Sequence, residues 1–157
     1  MDVTSFDMRW EIVGSGWAKL TWIADDDELQ VITSYTGHGL QGLLRSAVDL
    51  HLGSKSSLAW LSDEPHAHVF VFTGAAEHVY VQILRLPDEY AEDPWIGAKR
   101  RWAARIPTRA FITAAAHMAQ AVLDQHGEAG YRQAWRNMSF PSRELAVLRS
   151  GSTQPLP

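Results

Sequence analysis

The chain contains no cysteine among its 157 residues. This absence excludes disulfide bonds, thiolate catalysis, and zinc or iron–sulfur centres that are held by cysteine. Any transition-metal site would have to use histidine instead. A chain without disulfides fits a reducing compartment, and we therefore expect a cytoplasmic location.

Long apolar segments are also missing. No run approaches the ~20 consecutive apolar residues that a transmembrane helix requires. The N-terminal sequence Met-Asp-Val-Thr-Ser-Phe-Asp is acidic and lacks the apolar segment of a secretory signal peptide. We therefore expect a protein without a membrane-spanning or export segment.

Recognisable catalytic motifs are absent as well. The sequence has no Gly-x-Ser-x-Gly, no phosphate-binding loop and no dinucleotide fingerprint. His66 and His68 are two residues apart on one strand, whereas His78 is predicted about three residues out of register on the partner strand, roughly 10 Å away. We therefore expect no three-histidine metal site, and we predict no catalytic residue, cofactor or metal ligand.

Charge, in contrast, is abundant and unevenly distributed. Residues 1–95 carry five basic and fifteen acidic side chains, whereas residues 96–157 carry nine basic and three acidic ones. The net charges of the two segments are −10 and +6, and their sum of −4 does not reveal the difference. An asymmetry of this kind can mark an interaction surface.

Hydrophobic periodicity predicts an α+β fold. Segments rich in β-branched and aromatic residues predict strands at 10–13, 17–24, 28–35, 57–61, 68–72, 78–84 and 99–106. Apolar residues at the helical period predict helices at 39–52 and 108–126, around Tyr131 and Trp135, and after Pro141. The order β-β-β-α-β-β-β-β-α-α favours one antiparallel sheet of about six or seven strands with the helices packed on one face.

The hairpin formed by strands 68–72 and 78–84 is apolar on both faces, which predicts a position in the middle of a sheet or between layers. With Gly74 and Ala75 as its turn, Val71 would pair with His78 and His68 with Val81. We expect residues 1–149 to form one globular domain, since this length is sufficient for a substantial core. Residues 150–157 are predicted to form a disordered tail.

Two acidic segments are candidate contact surfaces. One is the predicted turn 25–28, whose closely spaced carboxylates suit a solvated hairpin turn better than a calcium loop, which needs spaced ligands. The other is the predicted loop 87–94, with neighbouring aromatic residues that could anchor a partner. The candidate residues in these segments are Asp25, Asp26, Asp27, Glu28, Asp88, Glu89, Tyr90, Glu92, Asp93 and Trp95.

A basic segment is the third candidate surface. In a regular strand Lys99, Arg101 and Arg105 would share one face, a stripe that could follow a phosphate backbone while Trp102 stacks on a base. The sequence pI of about 5.9 argues against a long polyanion, and nucleic acid is therefore not an expected partner. The alternative is an edge strand that its charges protect from pairing with other chains.

Tryptophan is frequent, with seven residues. Trp10, Trp17, Trp22 and Trp60 lie on predicted strands. They could line a pocket on a concave sheet, although aromatic residues at such positions more often belong to the core.

Several short motifs carry a resemblance. They are Gly16-Trp17-Ala18, Asp63-Glu64-Pro65, Gly127-Glu128-Ala129-Gly130-Tyr131, Trp135, Phe140-Pro141 and Leu145. In these motifs the chain resembles small uncharacterised actinobacterial α+β proteins of about this length, a resemblance that implies no activity and no catalytic residue. In size, class and charge alone it also resembles the small acidic immunity proteins of bacterial toxin systems.

The leading hypothesis is a non-enzymatic, cytoplasmic binding protein that acts through a protein partner in an immunity-like or accessory role. Opposite charges on one molecule also permit self-association, such as a homodimer. One alternative is a small-ligand-binding protein with a pocket between the sheet and the helix at 108–126. Another is an enzyme whose histidine and glutamate side chains converge in a cleft that the sequence does not reveal.

Overall fold

Seven strands and three α-helices build residues 2–150, the part of the chain that the computed structural model describes. The strands are β1 (Phe6–Gly14), β2 (Trp17–Ala24), β3 (Asp27–Ser34), β4 (Ser57–Asp63), β5 (His66–Thr73), β6 (His78–Leu86) and β7 (Lys99–Pro107). The helices are α1 (Gly39–His51), α2 (Thr108–Ala134) and α3 (Ser142–Ser150), and a 3-10 turn (Tyr35–Gly37) precedes α1. The α+β class and the predicted order of elements are confirmed.

The strands form two antiparallel sheets, so the prediction of one continuous sheet is wrong. One sheet has the order β1-β2-β3 and the other has the order β4-β5-β6-β7. Each pair of neighbours is consecutive in sequence, whereas β3 reaches β4 only through α1. A helical connection does not force its two strands to pair as a short hairpin does, and the sheet divides there. A hydrogen bond from Thr33 Oγ1 to the carbonyl of Ser62, 3.0 Å long, joins the ends of β3 and β4.

The main core lies between the inner faces of the two sheets and the helices. Trp22 of β2 contacts Phe70 of the four-stranded sheet at a ring-centroid distance of 5.3 Å and Phe111 of α2 at 6.2 Å. Phe111 also lies 4.7 Å from Phe72. Trp10 is buried like Trp22, whereas Trp17 is 40% exposed. The predicted strand tryptophans are therefore divided between core and surface.

Helix α1 shields the free edge of β4. Gly42 faces this edge, and a Cβ atom added to it would lie 3.9 Å from the backbone nitrogen of Trp60. Gly39 is packed more tightly, since a Cβ atom there would lie 3.1 Å from Trp10 and 3.2 Å from Leu61. Gly39 therefore allows the helix to approach the sheet closely, whereas a Cβ atom at Gly42 would make an ordinary contact.

Helix α2 changes direction at Gly127, the predicted end of the long helix. This glycine has φ 66° and ψ 170°, which are not helical values. The segment beyond it carries Tyr131, which stacks on Trp135 at 6.1 Å. Trp135 in turn lies 5.8 Å from Trp10 of β1, so the segment after the kink closes one end of the core.

The central hairpin has a longer turn than predicted. Val71 pairs with Gln82 and His68 with Arg85, not with His78 and Val81. The backbone N–H of Ala76 donates to the carbonyl of His78, so the chain reverses over more residues than Gly74 and Ala75. At the end of the chain, Ser150 completes α3, and residues 151–157 of the predicted tail lie outside the described residues.

None of the helices within residues 2–150 combines the length and the apolar character needed to cross a membrane.

The packing around Trp22 leads to a stability prediction. Because Trp22 is fully buried, Trp22→Ala should lower the free energy of unfolding by about 3–5 kcal/mol, measured by urea denaturation. Trp22→Phe should cost less, because it keeps a ring and removes an indole N–H that is buried without a hydrogen-bond partner. Trp17→Ala is the matched control for an exposed tryptophan, and an equal loss in both alanine variants would contradict this account of the core.

Candidate functional site

The four-stranded sheet carries helices on only one of its faces. On this inner face, Phe70, Phe72 and Ile83 belong to the main core together with residues of the helices. On the opposite face Ala67, Val69 and Leu86 form a second, smaller cluster with Trp60, Val71 and Ala98. We call this helix-free surface the outer face. By their register its other apolar and neutral residues include Leu58, Tyr80, Gln82, Leu84 and Ala103. The register also places two exposed cations, Arg100 and Arg105 of β7, at its β7 side.

The outer face is only partly covered. The sequence predicted cover on both faces of the central hairpin, but on this side the cover consists of the connection between β6 and β7, the 87–98 loop. The side chain of Leu58 is 48% exposed, and Val71, Tyr80 and Leu84 are partly exposed. The sheet therefore presents an apolar surface to solvent.

Acidic side chains shape the 87–98 loop itself. Asp88 Oδ1 accepts a hydrogen bond from the backbone N–H of Tyr90 at 2.9 Å, and Asp93 Oδ1 accepts one from Trp95 at 3.1 Å. Glu89 is partly buried, and its Oε1 accepts a hydrogen bond from Ser62 Oγ at 2.9 Å. These predicted contact residues thus have a local structural role in addition to their charge.

The aromatic residues of this loop lie at the margin of the outer face. Trp95 packs edge-on against Trp60 at a centroid distance of 6.1 Å and remains 44% exposed. Tyr90 is 66% exposed and Ile96 is 72% exposed. The loop therefore extends the apolar surface of the sheet with three large exposed side chains.

The other acidic segment lies on the three-stranded sheet. Asp25 adopts a positive φ of 51° in the β2–β3 turn. Its Oδ1 accepts hydrogen bonds from the backbone N–H of Ser5 at 2.8 Å and from Thr4 Oγ1 at 2.9 Å. The Ser5 bond, followed by the Thr4 hydroxyl, lowers the pKa of Asp25 below its usual value. Asp25 thus binds the N-terminal segment to the β2–β3 turn through these hydrogen bonds. The neighbouring Asp26, Asp27 and Glu28 are exposed.

The predicted basic stripe is broken by a β-bulge. Ile83 pairs with Trp102 and Leu84 with Arg100, which leaves Arg101 as the extra residue of β7. The side chains of Lys99, Arg101 and Arg105 therefore do not share one face, and this prediction is wrong.

The three cations have different neighbours. Lys99 lies opposite Arg85, Arg101 contacts His68, and Arg105 pairs with Asp2 at 3.6 Å. Trp102 packs edge-on against Trp22 at 5.4 Å and is therefore not presented for stacking on a base.

His68 is the most unusual polar residue on the inner face, at 4% exposure. Burial, followed by the neighbouring Arg101, Arg85 and His66, lowers the pKa of His68 to about 4. Arg101 Nη1 lies 2.8 Å from His68 Nε2. Because a guanidinium group only donates, Nε2 accepts and the ring proton is on Nδ1, which is buried without a hydrogen-bond partner.

The sequence did not reveal this contact, because strand alternation places Arg101 away from His68 unless the bulge is known. The exposed Leu58 and Ile96 were also not predicted as site residues, and only the apolar character of both hairpin faces pointed toward the outer face. Within residues 2–150, no group of three or more histidine and carboxylate side chains is placed to hold a metal ion.

Comparison of the chain with protein-family models, with curated proteins and with solved structures gives no match.

The Asp25 hydrogen bonds lead to a prediction for the N-terminus. The backbone N–H of Val3 donates to the carbonyl of Arg105, so residues 2 and 3 lie against the free edge of β7, while Thr4 and Ser5 bond to Asp25. Asp25→Ala should therefore increase amide hydrogen exchange at Val3 and Ser5, whereas Asp26→Ala, a neighbouring exposed carboxylate, should leave it unchanged. Because the pKa of Asp25 is lowered on folding, the contact should persist above pH 3.8 and weaken as the pH falls further. Unchanged exchange in Asp25→Ala would contradict this role.

The buried His68 leads to a prediction for acid stability. Its pKa is 6.5 before perturbation and about 4 in the folded chain, so the unfolded chain binds the proton more tightly. Its contribution to stability is therefore complete above pH 6.5 and is lost as the pH falls toward 4, by at most about 3 kcal/mol.

His68→Gln should flatten this part of the curve of unfolding free energy against pH, measured by urea denaturation. His78→Gln is the matched control for the loss of one histidine. An unaltered slope in His68→Gln would show that His68 titrates alike in both states.

Proposed function

We propose that this is a non-enzymatic binding protein that acts through a protein partner, in an accessory or immunity-like role, and that the partner docks on the outer face. The observation that supports the proposal is the apolar, helix-free side of the four-stranded sheet, which the 87–98 loop extends with Tyr90, Trp95 and Ile96. Contiguous exposed apolar surface of this kind is typical of interaction sites.

The exposed side chains are of the right type to contribute binding energy. Complete burial of a large apolar side chain contributes about 1.5–3 kcal/mol, and aromatic residues are enriched among the residues that dominate interfaces. The ring of Trp95 packs against Trp60, and its backbone N–H donates to Asp93, so both ring and backbone are restrained before a partner covers them. A partner that covers Leu58, Trp95 and Ile96 would gain several kcal/mol before the cost of association.

The charge of the loop defines the partner further. Asp88, Glu92 and Asp93 are exposed, and within residues 2–150 none of them forms an ion pair. A partner with an apolar patch bordered by lysine or arginine would complement these carboxylates. Complementary charge of this kind accelerates association, and the acceleration decreases as salt screens it.

Packing beneath α2 argues against the small-ligand alternative. Phe111, Ala115, Met118 and Val122 line the side of the helix that faces the sheets, and all four are buried in the core. These buried side chains fill the space beneath this side of the helix and leave less room there for a ligand.

The test compares matched variants in affinity purification from the native host, at low and at physiological salt. Leu58→Asp and Ile96→Asp place a charge on the outer face and its margin at positions that are already exposed, so folding should be preserved. Val13→Asp is the control, because Val13 is 55% exposed on the three-stranded sheet. We expect a partner that the wild type and Val13→Asp retain and that both outer-face variants lose.

Two outcomes would contradict the proposal. One is the same set of bound proteins in all four forms of the chain, because the outer face would then not be the docking surface. The other is a dimer in light scattering that Leu58→Asp dissociates, because a second copy would then occupy the surface assigned to a separate partner.

A further inference from the structure

A second surface, separate from the outer face, collects positive charge where β5 begins, β6 ends and β7 begins. Arg85 lies opposite His68 on one side and opposite Lys99 on the other. The bulge directs Arg101 to the same inner face, where its guanidinium reaches His68. His66 begins β5 and pairs with Asp63, the carboxylate opposite it in the register.

Apart from His66, which has Asp63 opposite it, the cations of this surface are without an acidic partner in residues 2–150. Arg85, Lys99 and Arg101 form no ion pair there, whereas Arg45 and Arg105 are paired with Glu144 and Asp2. Arg85 is the register partner of His68 and Arg101 contacts its ring, so both cations lie at the same histidine, whose protonated form they disfavour. Their mutual repulsion is a cost that a bound anion would offset.

Arg101 is also held in position. Its Nη1 donates to the Nε2 atom of a histidine that is 4% exposed, while the residue itself is exposed. A guanidinium group has five N–H donors, and the contact with His68 engages only one of its nitrogens. The remaining donors of a fixed fork match the oxygens of a phosphate group.

We propose that Arg85, Lys99 and Arg101 bind a phosphate group, with His68 as the residue that positions Arg101. A phosphate fits better than a single carboxylate, because three permanent cations come from neighbouring strand positions and a phosphate near pH 7 carries a charge of about −1.5 to −2. The group can belong to a free small molecule or to a phosphorylated side chain, and both sources present the same oxygens.

The test measures binding by the ring resonances of His68 in NMR titrations at constant ionic strength. The probes are inorganic phosphate, a phosphoserine peptide and the same peptide without phosphate, with chloride as the control for ionic strength. We expect saturable shifts with phosphate or with the phosphopeptide, and none with the other two. Saturation by inorganic phosphate indicates a free ligand, whereas tighter binding of the phosphopeptide indicates a modified partner.

Variants separate binding from folding. Arg85→Ala and Lys99→Ala leave the contact between Arg101 and His68 intact, and each should weaken phosphate binding about tenfold, as expected for the loss of a charge-assisted hydrogen bond. His68→Gln, which lacks the reporter ring and is followed instead by the backbone amide resonance of Arg101, should weaken binding less. Arg101→Lys should weaken it although charge is retained, because the planar fork is lost.

Arg9→Ala removes an exposed cation from β1 and is the matched control. Equal binding by Arg9→Ala, Arg85→Ala and Lys99→Ala would overturn the proposal, as would equal shifts with phosphate and chloride. Leu58→Asp should bind phosphate as the wild type does, because it alters only the outer face. The phosphate site can therefore be disproved while the protein-binding role of the outer face stands, and the protein-binding role can be disproved while the phosphate site stands.

Discussion

The architecture depends on the packing of two separate sheets into one core. No strand ladder connects β3 to β4, so side chains rather than backbone hydrogen bonds determine how the sheets are arranged. Phe111 contacts both Trp22 of one sheet and Phe72 of the other, and it thereby joins them to α2. Because this core uses only the inner faces, the helices gather on one side and the other side of the four-stranded sheet stays open to solvent.

This arrangement also determines how the four-stranded sheet can meet a partner. The first turn of α1 lies beside the edge of β4, and the N-terminal segment lies along β7 through the bond from Val3 to Arg105. Each edge is therefore covered at one point, which hinders the addition of a further strand there, a common hazard of exposed edges. What remains accessible is the face of the sheet, where side chains rather than backbone groups make the contacts. Recognition there depends on apolar complementarity and on charge at the margin.

Local sequence patterns were sufficient to predict the order of the elements, because apolar periods of 2 and 3.6 residues and glycine stops recur along the chain. They were insufficient for features that depend on two strands at once. The bulge at Arg101 and the longer turn after Thr73 each arise from pairing with β6, and neither leaves a signal in its own segment. One extra residue moves the side chains beyond it to the opposite face of the sheet. The prediction of the basic stripe, which assumed regular alternation through β7, therefore failed.

The charge asymmetry of the sequence has two different consequences in the fold. Part of it is internal, because Arg105 of the basic segment pairs with Asp2 of the acidic segment. Among the charges without such partners are two sets on the four-stranded sheet: the carboxylates of the 87–98 loop beside the outer face, and the cations around His68 on the opposite side of the sheet. Since the two sets have opposite signs and flank different faces, they do not neutralise each other. One molecule can therefore present an acidic, apolar surface and a basic site for ligands of different chemistry.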